Sequence, residues 1–211
     1  DALPISSGLS VGDHVAVGLG NRLEYPEIAC GIAMAGMVMI PLNPRYTTTE
    51  AAFILEHSEA KAVVVEESLL DVVAPAARGI DLVVVVGERD GYPSYEALLA
   101  DQSPVDPMRA VPEDAPFCIA YTSGTTGQPK GVMISHRSRT LTFYQAAAEW
   151  GLGTGRTSLA VAPMYHGAGF AFGYAPVFTG GTVVMLRKWS PEAMLDLAER
   201  HRVQSIFLVP A

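Results

Sequence analysis

The sequence predicts an α/β fold built as two βα lobes with mostly parallel sheets. Three observations carry that prediction. Short apolar runs alternate with helix-like stretches along the whole chain. Two of these runs, Lys61–Val65 and Leu82–Val86, are dominated by valine with no polar alternation, as in parallel-sheet strands covered on both faces. The alternation breaks once, at the proline-rich stretch 101–116 (Pro104, Pro107, Pro112, Pro116), and then restarts.

Taken in order, Val15–Leu19 is the first strand, Tyr25–Ala35 a helix and Met37–Ile40 the second strand. Thr47 with Glu50 forms a capping box that opens a helix through Phe53, Ile54 and Leu55. Lys61–Val65 and Leu82–Val86 are strands separated by a helix at Leu69–Ala77, and Tyr95–Ala100 is a short helix. Beyond the prolines, Phe117–Tyr121 is a strand, Ser123–Gly131 a glycine-rich loop and Ser135–Trp150 a helix capped by Ser135. Ser158–Ala162 and Thr182–Leu186 are strands on either side of a helix at Gly167–Phe178. Ser190-Pro191-Glu192 supplies the cap, first-turn proline and acidic residue that start a helix ending near His201, and Ser205–Val209 is the last strand. The expected organisation is a first lobe at 7–100, a connector at 101–116 and a second lobe at 117–211, cut at its C-terminal end. Residues 1–6 are expected to be non-native, because Ala2-Leu3-Pro4-Ile5 is the translation of a common sequencing-adapter string.

Composition narrows the function. The 211 residues carry 14 Lys+Arg against 22 Asp+Glu, a net charge of −8, with no basic run. That argues against a nucleic-acid or anionic-membrane partner held by charge. With 49% hydrophobic residues the chain buries enough surface to fold. Its longest apolar run, Ile28–Leu42, is broken by Gly31, Gly36 and Pro41 and falls short of the roughly 20 residues of a membrane span. Two cysteines, Cys30 and Cys118, make no disulfide framework and suggest a reducing compartment; with no signal sequence, a cytoplasmic location is expected. His14, His57 and His201 have no ligand spacing, and His136 and Arg137 read as surface capping residues at a helix start.

The chemistry concentrates in Tyr121-Thr-Ser-Gly-Thr-Thr-Gly-Gln-Pro-Lys-Gly-Val132. Hydroxyls at Thr122, Ser123, Thr125 and Thr126 surround Gly124 and Gly127, and Lys130 stands at the far end. Glycines let backbone N–H groups approach an anion, hydroxyls add neutral donors and the lysine adds a mobile positive charge. Strand, loop and helix in succession are the common setting for phosphate capture. The spacing Gly-x-x-Gly-x-x-Lys-Gly is neither a Walker loop nor a Rossmann fingerprint, so a polyphosphate is held differently here.

This segment resembles the phosphate loop of the adenylate-forming superfamily, which includes acyl-CoA synthetases, luciferases and peptide-synthetase adenylation domains. Further segments share the resemblance: Pro41-Leu42-Asn43-Pro44-Arg45-Tyr46, Ile54-Leu55-Glu56-His57-Ser58-Glu59-Ala60-Lys61, Ala162-Pro163-Met164-Tyr165-His166-Gly167, Gly180-Gly181-Thr182-Val183-Val184 and Leu208-Val209-Pro210. The resemblance implies part of the large N-terminal domain of an enzyme that joins a carboxylate to ATP as acyl-adenylate and passes the acyl group to a thiol. The substrates implied are ATP with Mg²⁺, a carboxylic acid, and coenzyme A as co-substrate. A fatty acid is expected, with an aryl-acid ligase or a carrier-charging adenylation domain as the runner-up. A non-catalytic nucleotide-binding module is the reading from another class.

By the same resemblance, Thr122, Ser123, Gly124, Thr125, Thr126, Gly127 and Lys130 hold the β- and γ-phosphates, with Thr122 also touching the metal. Lys130 assists the departing pyrophosphate, and His166 stands beside the carboxylate and the thiol path in a positioning or gating role. A carboxylate is already ionised at neutral pH, so His166 is not read as a general base. Tyr165, Gly167, Phe170, Phe172 and Val209 border an acyl pocket or pack the core. The small residues Gly167, Ala168, Gly169, Ala171 and Gly173 leave room for an acyl chain or serve close helix packing. The adenine, ribose and lid elements of the family are expected beyond Ala211, in a missing C-terminal part, so the 211-residue piece alone is expected to be inactive.

Overall fold

The computed structural model describes residues 8–100, 102–103, 109–122 and 128–209. Residues 1–6 and the loop residues Ser123, Gly124, Thr125, Thr126 and Gly127 lie outside the described residues. The chain is α/β and divides into two compact units, Asp1–Leu19 with Ile28–His136, and Gly20–Glu27 with Arg137–Ala211.

The first unit is a six-stranded sheet in the order β4-β3-β1-β2-β5-β6. Its strands are β1 (His14–Gly18), β2 (Val38–Pro41), β3 (Ala62–Glu66), β4 (Leu82–Val86), β5 (Pro116–Thr122) and β6 (Lys130–Ser135). All pairings are parallel except β5 with β6. The helices are α1 (Glu24–Met34, belonging to this unit from Ile28 onward), α2 (Thr48–His57), α3 (Leu70–Ala76, entered through a 3₁₀ turn at Glu67–Leu69) and α4 (Tyr95–Ala100). The valine run of β3 lies inside the sheet, where every position is covered, as at Val63, Val64 and Val65, while that of β4 forms the edge and is buried only from Val84 to Val86. Alternate residues Ala16, Ile40, Val63, Val65 and Val85 pack with Ile54 and Leu55 of α2 and Leu70 and Val73 of α3. The capping box forms as the sequence predicts: Thr47 Oγ1 accepts from the Glu50 N–H, and Glu50 accepts from the Thr47 N–H at 2.8 Å.

Two features differ from the sequence reading. The glycine-rich loop does not run into a helix. Residues 130–135 form β6, antiparallel to β5, and the helix starts only at His136. Val132, Met133 and Ile134 have the propensity for a strand, and pairing with β5 satisfies their backbone groups. The hairpin also belongs to the first sheet, since Met39 of β2 pairs with Cys118 of β5. The second lobe therefore does not begin at 117. Part of the proline-rich stretch packs on the first unit as well: Arg109 donates to the Ala35 carbonyl at 3.2 Å, and the Val111 side chain lies against Gly36.

The second unit holds a parallel three-stranded sheet, β8-β7-β9, formed by β7 (Thr157–Ala160), β8 (Thr182–Met185) and β9 (Ser205–Ile206). Strand β9 is shorter than the run Ser205–Val209 because only Ser205 and Ile206 find partners on β7. Its helices are α5 (His136–Trp150), α6 (Gly167–Phe178) and α7 (Pro191–Arg200), the last capped by Ser190, whose hydroxyl accepts from the Ala193 N–H at 3.2 Å. Helix α6 is apolar all round and is buried from Gly169 to Pro176. An aromatic cluster forms its surroundings: Phe170 stacks on Tyr174 at 4.8 Å, and Phe143 meets Tyr174 at 5.0 Å and Phe178 at 5.2 Å.

Candidate functional site

The hairpin β5–β6 frames the predicted phosphate loop. Its last two rungs pair Tyr121 with Gly131 and Thr122 with Lys130. Residues directly opposite in an antiparallel pair share a face, so Thr122 and Lys130 project from one side and Tyr121 and Gly131 from the other. Thr122 and Lys130 are both exposed, and no carboxylate among the described residues pairs with the Lys130 ammonium. A hydroxyl donor and an uncommitted cation therefore stand together at the mouth of the loop. In a chain of net charge −8, this pair can meet an anion that the rest of the surface repels.

The opposite face of the hairpin is anchored. Tyr121 Oη and His57 Nδ1 lie 2.8 Å apart, with the two rings edge to face at 5.7 Å, and Phe53 lies against the same imidazole at 5.4 Å. Partial burial pushes the Tyr121 hydroxyl above its usual pKa. Gly131 is required at its rung, since a Cβ there would sit 2.7 Å from Ile119 Cγ2 and 3.4 Å from the Tyr121 ring. His136, read from the sequence as a surface cap, instead turns its ring edge to face against Phe117 at 5.4 Å, and burial pulls its pKa down.

The second cluster of predicted residues lies in the other unit, at the N-terminus of α6. His166 is the N-cap residue and is exposed; its N–H donates to the Pro163 carbonyl at 3.0 Å, and its carbonyl accepts from the Phe170 N–H at 2.8 Å. Tyr165 is half-buried beside it, and Gly167 faces open space with nothing within 4 Å of a Cβ built there. Phe170 is buried in the aromatic cluster with Phe143 and Tyr174, and Phe172 stacks on Trp150 at 5.5 Å. Val209 is exposed beyond β9.

The glycines of α6 have a definite use. A Cβ on Gly169 would fall 1.9 Å from the Pro163 carbonyl oxygen, and one on Gly173 would fall 2.1 Å from Met164 Sδ. At these two positions the small residues serve close packing of the helix on the turn before it, not room for a chain.

The comparisons with known proteins bear on both clusters. The AMP-binding enzyme family model matches residues 2–211. This chain belongs to the AMP-binding enzyme family.

Among curated relatives, a long-chain-fatty-acid–CoA ligase of Thermus thermophilus is 37% identical across 96% of this chain and 38% of its own length. A peroxisomal benzoate–CoA ligase of Arabidopsis thaliana is 30% identical across 98% of this chain and 39% of its own length. Among solved structures, ATP-bound MatB from Rhodopseudomonas palustris superimposes with a TM-score of 0.82 at 31% identity, covering 93% of this chain and 39% of that one. A long-chain-fatty-acid–CoA ligase from Archaeoglobus fulgidus gives a TM-score of 0.84 at 28% identity, covering 94% and 40%. The chain thus spans about two fifths of the length of the relatives it matches. No helix among the described residues is long and apolar enough to cross a membrane.

Sequence reasoning missed two residues of this family member. His57 reads as an isolated histidine, and nothing in the spacing shows that the end of α2 meets Tyr121. Asn21 belongs to no motif singled out in the sequence, yet it is buried and hydrogen-bonded to backbone far along the chain. The available signal is weak: a polar residue just past the carboxyl end of a parallel strand, where loops carry function.

Proposed function

We propose that the protein is an ATP-dependent acid–thiol ligase that forms an acyl-adenylate from a carboxylic acid and transfers the acyl group to coenzyme A. The observation that carries this reading is the exposed Thr122–Lys130 rung at the mouth of the glycine-rich loop, in a chain whose matched relatives are named CoA ligases. In the first step two anions must approach and pyrophosphate must leave, so cations and donors aimed at the phosphates supply most of the catalysis. Lys130 would neutralise charge on the departing pyrophosphate. Thr122, with Ser123, Gly124, Thr125, Thr126 and Gly127, would donate to the β- and γ-phosphate oxygens. Mg²⁺ would arrive on the triphosphate, with the Thr122 hydroxyl as this chain's own contact. His166, exposed at the start of α6 beside Tyr165 and the open Gly167, would orient the carboxylate and the incoming thiol.

The acid is proposed to be a fatty acid, on the strength of the 37% identity to a long-chain-fatty-acid–CoA ligase. An aryl acid is the second reading. It is favoured by the match to a benzoate–CoA ligase and by the packing that fills the space beside Gly169 and Gly173. Because the chain spans about two fifths of its relatives, the remaining nucleotide contacts and turnover are proposed to need further sequence. A cytoplasmic enzyme is part of the same proposal.

The test is to express the full open reading frame and measure AMP release from ATP across fatty and aryl acids, with and without coenzyme A. AMP release that requires both an acid and coenzyme A supports the ligase. Adenylate formed without use of coenzyme A points to a carrier-charging relative. Nucleotide binding with no turnover for any acid overturns the enzyme reading.

A further inference from the structure

The segment leaving β1 carries Asn21, only 8% exposed, with its amide buried inside the second unit. Its Nδ2 lies 3.3 Å from the Val161 carbonyl, 3.2 Å from that of Ala162 and 3.2 Å from that of Leu186. Its Oδ1 accepts from the Met164 N–H at 2.9 Å. A primary amide offers two N–H donors and one carbonyl, and only this orientation points the donors at carbonyls and the acceptor at an N–H. One side chain therefore grips both sides of the turn that follows β7, with the carbonyls before Pro163 and the N–H after it. The bond to Leu186 ties the same amide to the end of β8.

What that turn holds is His166. The His166 N–H bonds to the Pro163 carbonyl, and the first turn of α6 is pressed onto the same peptide at Gly169. The Met164 side chain, whose N–H Asn21 holds, is buried against Gly173. Proline contributes no N–H of its own, so the backbone on both sides of Pro163 depends on a side chain for its pairing. No smaller polar residue reproduces this. Serine reaches one or two of the four groups, and an ionised aspartate would face three carbonyl oxygens with no donor.

We infer that Asn21 is a positioning residue that fixes the Val161–Met164 turn and thereby the direction in which the His166 imidazole leaves the N-terminus of α6. Its catalytic meaning rests on the ligase reading above; its structural content does not.

The experiment uses the full-length protein carrying Asn21→Asp or the milder Asn21→Ser, with two readouts. The first is the imidazole signals of histidine-labelled protein, with His166 assigned by His166→Gln. Within this chain there are only five histidines to separate. The expected result is a shifted or broadened His166 signal, with those of His14 and His57, in the other unit, unchanged. An unmoved His166 signal in Asn21→Asp overturns the inference. So does loss of the fold by both variants, which would make Asn21 a residue of general stability. The second readout is kinetic. Asn21→Ser should raise KM for the acid about tenfold while KM for ATP stays within about twofold, and Asn21→Ser combined with His166→Ala should be no worse than His166→Ala alone. Additive losses overturn the inference. If the wild-type protein shows no turnover, the ligase reading fails while the histidine signals still decide the role of Asn21.

Discussion

Thr122 and Lys130 face each other on the last rung of the β5–β6 ladder and project from the same face of the hairpin. A hydroxyl and an ammonium delivered by two paired strands are more rigidly placed than the same groups on a free loop, because the ladder fixes both backbones. Lys130→Ala should keep the backbone pairing with Thr122 while removing the ammonium and the stem that carries it. The expected loss is about ten- to a hundredfold in kcat for adenylate formation, corresponding to the roughly 1.5–3 kcal/mol of a charge-assisted hydrogen bond. Lys130→Arg should recover part of it. Pyrophosphate release by the full-length enzyme is the measurement, and a variant as fast as wild type would remove Lys130 from the phosphate site.

The far side of that hairpin predicts a coupling between two residues distant in sequence. Tyr121 and His57 share one hydrogen bond at 2.8 Å. Tyr121→Phe and His57→Gln should each lower stability by about 0.5–1 kcal/mol, at the modest end because both rings are partly in water. The double variant should cost little more than either single one. Denaturant midpoints for the four proteins of this cycle check it, and full additivity would show that the contact contributes nothing.

The glycines of α6 separate packing from open space. Gly169→Ala would place a Cβ 1.9 Å from a backbone oxygen, which cannot move aside without shifting the Pro163 turn. It should cost upwards of about 2 kcal/mol, in the range of overpacked cores. Gly173→Ala meets a flexible methionine and should cost about 1 kcal/mol. Gly167→Ala meets nothing and should leave the melting temperature unchanged or slightly raised. Equal effects at 167 and 169 would contradict the close contact of Gly169 with the Pro163 carbonyl.

The outline of the fold was legible in the sequence because local rules and burial agree in most elements. Valine runs gave β3 and β4, the Thr47–Glu50 box gave the start of α2, and Ser190-Pro191 gave the start of α7. The β6 hairpin was not legible, since Lys130-Gly-Val-Met-Ile-Ser is compatible with a loop until β5 is there to pair with it. The placement of β5 beside β2 rests on a non-local pairing that no spacing reveals. In the candidate site, Thr122, Lys130 and His166 announced themselves by residue type and motif. Asn21 and His57 did not, because their partners lie far away in sequence.

His136 supplies a prediction about pH. Its imidazole packs on Phe117, its Nε2 is buried without a hydrogen-bond partner, and burial holds its pKa below the usual value for histidine. A neutral ring is therefore preferred in the folded state, and the unfolded chain binds a proton more readily. The sign follows: the contribution to stability is intact above the ordinary histidine pKa of about 6.5 and is lost as pH falls below it toward the folded value. Glu24, Glu50 and Glu192 also have lowered pKa values, from hydrogen bonds with Arg22, Thr47, and the Glu192 backbone with the Ser190 hydroxyl respectively. Their losses set in only below the ordinary glutamate range, whereas the His136 loss already sets in below the ordinary histidine value. Melting temperature should fall between pH 7 and pH 5.5, and His136→Gln, which cannot titrate, should flatten that slope while leaving the acid limb below pH 4.5 in place. A slope identical in wild type and His136→Gln would assign the pH dependence to another group.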